Sequence, residues 1–295
     1  MSPSAPEPGS RGEIWAREVL AELRRDRFHP LAWVRFLRAS FEFAAGRRAE
    51  RPREHRVTLV LGFAGVAAWA IALAVGHPLL ALAGAAWWIL ATLMLDWHLG
   101  MLESRDGRSV AGLGLANVLT HLRGGTAPAI AVLFGSPAGI ALLGVAGASD
   151  VVDGWLARRR GEVTRLGAWL DGAVDGLVLG AAAVGAFTSG RAPVWLLAIV
   201  LVRITLPWLT IATVTFARAE TPNAGRAVPG RIPGLVLFAG LALLAFDVGA
   251  GVPVAAAGAA GGVGTFALTI ARTVRANRCA AAPGVSRGRS RSYEA

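Results

Sequence analysis

The sequence predicts an all-α integral membrane protein, on three observations. Its hydrophobic fraction is 54% and its mean hydropathy +0.52, the composition of a chain that lives in a bilayer. Its apolar residues gather into eight runs, at approximately 57–75, 79–98, 113–134, 137–158, 166–188, 193–216, 232–248 and 252–273. Each is close to the roughly 20 residues that cross hydrocarbon as a helix. Finally, positive charge is segregated to alternate connections. Those at 76–78, 135–137, 188–193 and 247–251 carry one arginine between them. The N-terminal region, Arg105, Arg108, the 158–165 cluster, Arg218, Arg226, Arg231 and the tail lie on the other side. The positive-inside rule then makes both termini cytoplasmic, in a multi-pass protein of the plasma membrane.

The formal charge of +11 is placed to meet anionic headgroups rather than nucleic acid, because arginines stand at the ends of apolar runs. All 30 basic residues are arginine. With abundant Ala and Gly this reads as GC-rich coding bias and a bacterial source, not as function. The lone Cys279 excludes an internal disulfide and a cysteine-based metal cluster. The first long apolar run begins near Val57, which argues against a signal peptide.

Taken in order, residues 1–56 read as a cytoplasmic N-terminal arm. Its first ten residues are Pro- and Ser-rich and expected to be disordered. Helical spacing follows over 12–28 and 30–43, with Pro30 suited to a first helical position. Trp33, Leu37 and Phe41 form one stripe, with Arg35 and Arg38 away from its centre. That pattern fits an amphipathic helix lying on the membrane surface, or a helical hairpin packed on the core. Residues 57–109 form a two-helix extension, in which Asp96-Trp97-His98 reads as a helix end at the interface. The tail, 276–295, is basic and expected to be disordered.

The stretch from Asp150 to Asp175 is the chemical centre. Asp150, Asp153, Asp171 and Asp175 stand in sequence otherwise apolar enough for a bilayer. Ionised groups there cost several kcal/mol unless paired or bound to a cation. At about 100° per residue, Asp150 and Asp153 share a helix face with Gly154, Ala157 and Arg158. Asp171 and Asp175 share a second face with Gly167. The charged turn around Gly161 joins the two, giving a helical hairpin whose four carboxylates converge near one membrane surface. Oxygen-only ligands suit Mg²⁺, Mn²⁺ or Ca²⁺ rather than zinc.

The spacing D-x2-D-G-x2-A-R-x8-G-x3-D-x3-D is matched at all eight fixed positions, Asp150, Asp153, Gly154, Ala157, Arg158, Gly167, Asp171 and Asp175. It resembles the signature of the CDP-alcohol phosphotransferases. The resemblance implies a six-helix membrane domain, here about 110–275, preceded by the two extra transmembrane helices and the arm. It implies transfer of a phosphatidyl group from CDP-diacylglycerol to an alcohol with release of CMP, in phospholipid biosynthesis. A Mg²⁺ or Mn²⁺ requirement and a homodimer are implied as well. Carried over position by position, Asp150, Asp153 and Asp171 would be metal ligands. Asp175 would complete the metal site or take the acceptor's proton. Asp150, Gly154, Ala157, Arg158, Thr164 and Gly167 would line the CDP donor. Arg158 pairs a phosphate oxygen or, alternatively, bridges two of the acids.

Other positions are less specific. Asn117-Val118-Leu119-Thr120-His121-Leu122-Arg123 is similar to the family's N-x-L-T-x-x-R opening, with Ala116 where Pro is common. Asn117 and Thr120 then face the site, or Asn117 is an ordinary helix cap; His121 reads as a packing residue. Arg203, inside an apolar run, is a functional candidate or a structural ion-pair member. Gly230-Arg231-Ile232-Pro233-Gly234 departs from the G-K-I-K-T of phosphatidylglycerophosphate synthases, which weakens glycerol 3-phosphate as acceptor. Arg218, Arg226 and Arg231 are acceptor-phosphate contacts or a topology-setting cluster. Two competing activities remain: a transferase using a soluble donor such as CDP-inositol or CDP-choline, and a membrane cation transporter. A transporter has no need for Gly154, Ala157 and Arg158 at fixed spacing from the acids.

Overall fold

The computed structural model describes residues 11–104, 106–218 and 231–281. Arg105, Arg226, the first ten residues and the tail beyond 281 lie outside them, as does the side chain of Arg218. Among the described residues the chain is helical, with no strand beyond one isolated bridge between Glu103 and Ser109. An arm of α1 (Arg11–Arg25) and α2 (Pro30–Ala49) precedes an apolar pair, α3 (Pro52–Ala74) and α4 (Pro78–Trp97). Then come α5 (Leu115–Gly125), α6 (Ala127–Val132), α7 (Pro137–Arg160), α8 (Arg165–Thr188), α9 (Val194–Arg218), α10 (Arg231–Ala245) and α11 (Gly251–Ala281).

All eight apolar runs are helical, and six of the helices are long and apolar enough to cross a membrane: α3, α4, α7, α8, α9 and α11. This is a multi-pass membrane protein. Run 113–134 differs from the single span expected, because it is broken into α5 and α6 at Thr126. Pro128 has no N–H to give to the carbonyl of Gly124. The indole of Trp87 on α4 donates to that carbonyl instead, at 3.0 Å. Run 232–248 also ends early, since α10 stops at Ala245.

Starts and stops follow local chemistry. Pro30, Pro52, Pro78 and Pro137 open their helices, where an N–H would be unpaired anyway. Ser136 and Thr164 cap α7 and α8, accepting from the N–H groups of Gly139 (3.1 Å) and Gly167 (3.0 Å). Gly161, at φ 67°, closes α7 in the left-handed conformation that glycine adopts without strain.

Small residues let the helices approach. A side chain at Gly65 would overlap the Trp88 indole, and one at Gly84 would overlap Trp69, so α3 and α4 exchange tryptophans across their interface. A Cβ at Gly240 would run into the backbone of Ala255, and one at Gly258 into that of Leu237. Such contact is how apolar helices associate in lipid, where burial alone gives no drive. Of the helices long enough to span, α8 is the most buried, through Leu166, Leu170, Val174, Val178, Ala182 and Ala186. α3 keeps most of its surface outward, with Val60, Phe63 and Ile71 exposed.

The arm forms a helical hairpin that both packs and leaves an apolar face uncovered. Trp33 and Phe36 pack on Phe216 of α9, and Phe41 on Trp97 of α4. Leu31, Val34, Leu37 and Phe41 nonetheless remain exposed. Arg165, the first residue of α8, pairs with Glu13 of α1, and its N–H reaches Glu103 O at 2.9 Å. The arm therefore sits at the same end of the bundle as the turn between α7 and α8.

Candidate active site

Asp150 and Asp153 lie on the last turns of α7, and Asp171 and Asp175 on the first turns of α8. Antiparallel neighbours joined by a short turn bring those segments level. Asp150, Asp153 and Asp171 offer carboxylate oxygens that all lie within 4.8 Å of one another. Asp153 is the buried member; its Oδ2 accepts from the Thr120 hydroxyl at 2.7 Å. The side chains of Asp150, Asp171 and Asp175 keep 41%, 51% and 46% of their surface open, so a ligand can reach them.

What binds the acids together is a residue that the sequence reading quoted but did not place in the site. Arg123 of α5, its side chain only 3% exposed, pairs with all four. It contacts Asp150 directly and lies 2.9 Å from Asp171, 3.0 Å from Asp175 and 3.7 Å from Asp153. The signal was available, since Asn117, Thr120 and Arg123 recur every three residues in an apolar helix and an arginine inside such a run is rarely idle. One guanidinium faces four carboxylates, so the acids outnumber the cation paired with them and leave residual negative charge. A hard cation with oxygen ligands fits that donor set and that residual charge.

The other expected positions surround the acids. Asn117 and Thr120 are buried on the face of α5 that meets the hairpin; Asn117 donates to Leu113 O at 2.6 Å. Gly167 has no room for a side chain, because a Cβ there would stand 2.7 Å from Asn117 Oδ1 and 3.2 Å from Thr164 Oγ1. Thr164 is buried and committed to capping α8. Arg158 is exposed and lies over Gly154, its Nη1 3.2 Å from where a Cβ would be. It makes no ion pair with an acid among the described residues, and Ala157 is half-buried beside it.

Two arginines approach from α9 and α10. Arg203 interacts electrostatically with Asp175, and Arg231 with Asp171. Among the described residues the Nε of Arg203 is buried without a hydrogen-bond partner. A Cβ at Gly262 would overlap the Arg203 side chain, and one at Gly234 would lie 3.3 Å from its Nη2, so two glycines clear the space it fills. His121 faces away from the acids. It is buried against Trp88, with Nε2 3.2 Å from Thr92 Oγ1, and ties α5 to the extension.

No solved structure matches the chain. The family model for CDP-alcohol phosphatidyltransferase matches residues 113–273, more than half of the chain and the segment that contributes Arg123, the four acids and Arg203. That family carries out phosphatidyl transfer in phospholipid synthesis and generally uses divalent metals. By that match, with the acids of α7 and α8 gathered at one end of an apolar helical bundle, the chain belongs to the CDP-alcohol phosphatidyltransferase family.

Proposed function

We propose that the protein is a divalent-metal-dependent transferase that takes CDP-diacylglycerol as donor and passes its phosphatidyl group to an alcohol, releasing CMP. The observation that carries this reading is the convergence of Asp150, Asp153 and Asp171 within 4.8 Å. These three residues would hold Mg²⁺ or Mn²⁺. When bound, the metal would supply positive charge against the donor's pyrophosphate.

The chain's own residues do the rest. Arg158, exposed and unpaired with the acids, is free to pair a phosphate oxygen. Gly154 and Ala157 keep the wall beside it low, so a nucleotide can approach the backbone there, while Thr164 and Gly167 hold the start of α8 against Asn117. Asp175 takes the proton of the acceptor hydroxyl. The hydroxyl oxygen forms a bond to the phosphorus nearest the diacylglycerol, the pyrophosphate P–O bond breaks, and CMP leaves with that electron pair. Arg203, whose charge interacts with Asp175, is the acceptor-side contact, and it favours an acceptor that carries a phosphate. Arg231 adds positive charge at the same side, near Asp171. Both termini and the site face the cytoplasm on this reading, and the enzyme works as a homodimer.

The test uses purified protein with Mn²⁺, CDP-diacylglycerol and a panel of neutral and phosphorylated alcohols, following CMP release. CDP-choline and CDP-inositol as alternative donors complete the panel. CMP formed only with one of the soluble donors would replace CDP-diacylglycerol in this reading. No CMP from any pair, with the fold intact, would overturn it.

A further inference from the structure

The arm has no task in the proposed chemistry, yet α2 is laid with care across the ends of two spanning helices. Trp33 and Phe36, near its start, pack on Phe216 of α9. Phe41, about 12 Å further along the axis, packs on Trp97 of α4, and Arg48 pairs with Asp96 beside it at 3.2 Å. Phe216 and Trp97 both stand in the last turn of their helices. A helix held at both points runs along the face of the bundle, at the depth where spanning helices leave hydrocarbon.

Around α2, at about 100° per residue, Leu37, Phe41 and Val34 fall within about 60° of one another, next to Trp33. All three are exposed. Leu31, also exposed, follows at the edge of that sector, among Arg38, Glu42 and Arg35. The opposite side is taken by α1, where Trp15 stacks on Phe43 with ring centres 4.2 Å apart. The uncovered apolar sector therefore adjoins the contacts with α9 and α4 and continues their outward surface.

The turn joining α1 to α2 carries a second mark. Arg27 and Phe28, at φ 51° and 58°, are consecutive non-glycine residues in the left-handed region. Neither adopts it without strain. The Phe28 N–H donates to Leu23 O at 3.1 Å, and its exposed ring stays 6.3 Å from Trp33, on the side of the apolar sector. Arg25 and Arg27 beside it are exposed and form no ion pair with an acid among the described residues. Residues 11–56 hold twelve arginines against seven acids. Apolar side chains at interfacial depth, with unpaired arginines next to them, complement an anionic bilayer surface. A second copy of the chain would instead bring the same positive charge to the same face.

We propose that α2 and the turn before it dock on the anionic phospholipids of the leaflet at the acid-bearing end of the bundle. Phe28, Val34 and Leu37 enter the boundary between headgroups and acyl chains, and Phe41 closes the gap between this edge and Trp97. Arg25 and Arg27 meet headgroup phosphates. The seated arm is then a brace. Glu13 of α1 pairs with Arg165 at the start of α8, and Arg24 Nη1 donates to Ala217 O at the end of α9, at 2.9 Å. None of this depends on which group the enzyme transfers.

The experiment places the full chain in bilayer nanodiscs of phosphatidylcholine, with or without phosphatidylglycerol. Cys279→Ser removes the native thiol, and a nitroxide is attached at Leu37→Cys or, for comparison, at Glu18→Cys, an exposed position of α1. With phosphatidylglycerol, the label at 37 should be relaxed by oxygen, which concentrates in lipid, and shielded from a water-soluble nickel chelate. The label at 18 should show the reverse. Phosphatidylcholine alone should shift the label at 37 toward nickel, and so should the double variant Arg25→Glu with Arg27→Glu in anionic discs. Thermal unfolding of the same samples checks that each variant is folded. A label at 37 open to nickel in both lipids would overturn the proposal. Equal burial in both lipids, unmoved by the charge reversal, would overturn the anionic partner. A label shielded from both reagents would put protein on this face, and spin–spin broadening would identify it as a second copy.

Discussion

Arg123 Nη1 lies 3.0 Å from Asp175 Oδ1, and the same guanidinium reaches Asp150, Asp153 and Asp171. Among the described residues it is the only cation in ion-pair contact with the four acids. Removing one partner of a buried charge network costs about 3–5 kcal/mol. Arg123→Gln should therefore lower the thermal stability of metal-free protein by about that amount, and added Mn²⁺ should restore part of the loss. Unfolding curves with chelator and with Mn²⁺ check this. Equal losses in both conditions would mean that Arg123 matters for packing and not for charge.

The metal ligands make a separate prediction. Asp150→Asn, Asp153→Asn and Asp171→Asn should each abolish Mn²⁺-dependent binding of the CDP donor, and chelation of wild type should do the same. Donor binding titrated with and without Mn²⁺ is the measurement. Normal metal-dependent affinity in all three variants would remove them as ligands. Thr120→Val, which removes the hydrogen bond donated to Asp153, should weaken Mn²⁺ affinity more mildly, by roughly 10- to 100-fold.

Asp175 belongs to the same cluster but is given a different task. Asp175→Asn should keep most of the donor affinity and lower kcat by roughly 10²–10⁴-fold, the usual range for losing a general base. Donor Kd and kcat measured on one preparation separate this from a metal role, in which both would fall together.

Arg203 should act on the acceptor alone. Arg203→Gln is expected to raise the KM for a phosphorylated acceptor by roughly 10- to 100-fold, the worth of a charged hydrogen bond, with donor Kd unchanged. A variant with unaltered acceptor KM would return Arg203 to a purely structural place between Gly234 and Gly262.

Orientation is checked with reporter fusions after His77, Ser136, Arg191 and Gly249, all of which should read as external. Two or more internal signals would overturn the cytoplasmic placement of the site.

Much of this was legible in the sequence, for physical reasons that differ by element. The helices were readable because apolar runs of spanning length leave few alternatives, and their ends because Pro and Gly mark them. The acids of α7 and α8 were readable because spacing along a helix fixes which side chains share a face. Arg123 was not placed, since its partners are 27 to 52 residues away and no local spacing connects them. The break at Thr126 was missed for a related reason. Pro128 announced a disturbed helix, but the Trp87 indole that satisfies Gly124 O comes from another helix.

The break between α5 and α6 and the reach of Arg123 also bear on how the chain enters the bilayer. Synthesis runs from the N-terminus, so the segment carrying the arginine emerges before the hairpin carrying the four aspartates. The contacts that tie α5 to α4, from Trp87 and the Thr92–His121 pair, lie wholly among residues made before α7 and α8, so Arg123 can stand beside α4 when its acidic partners arrive. The order of elements along the chain thus spares the acidic hairpin a passage through lipid with nothing to neutralise it.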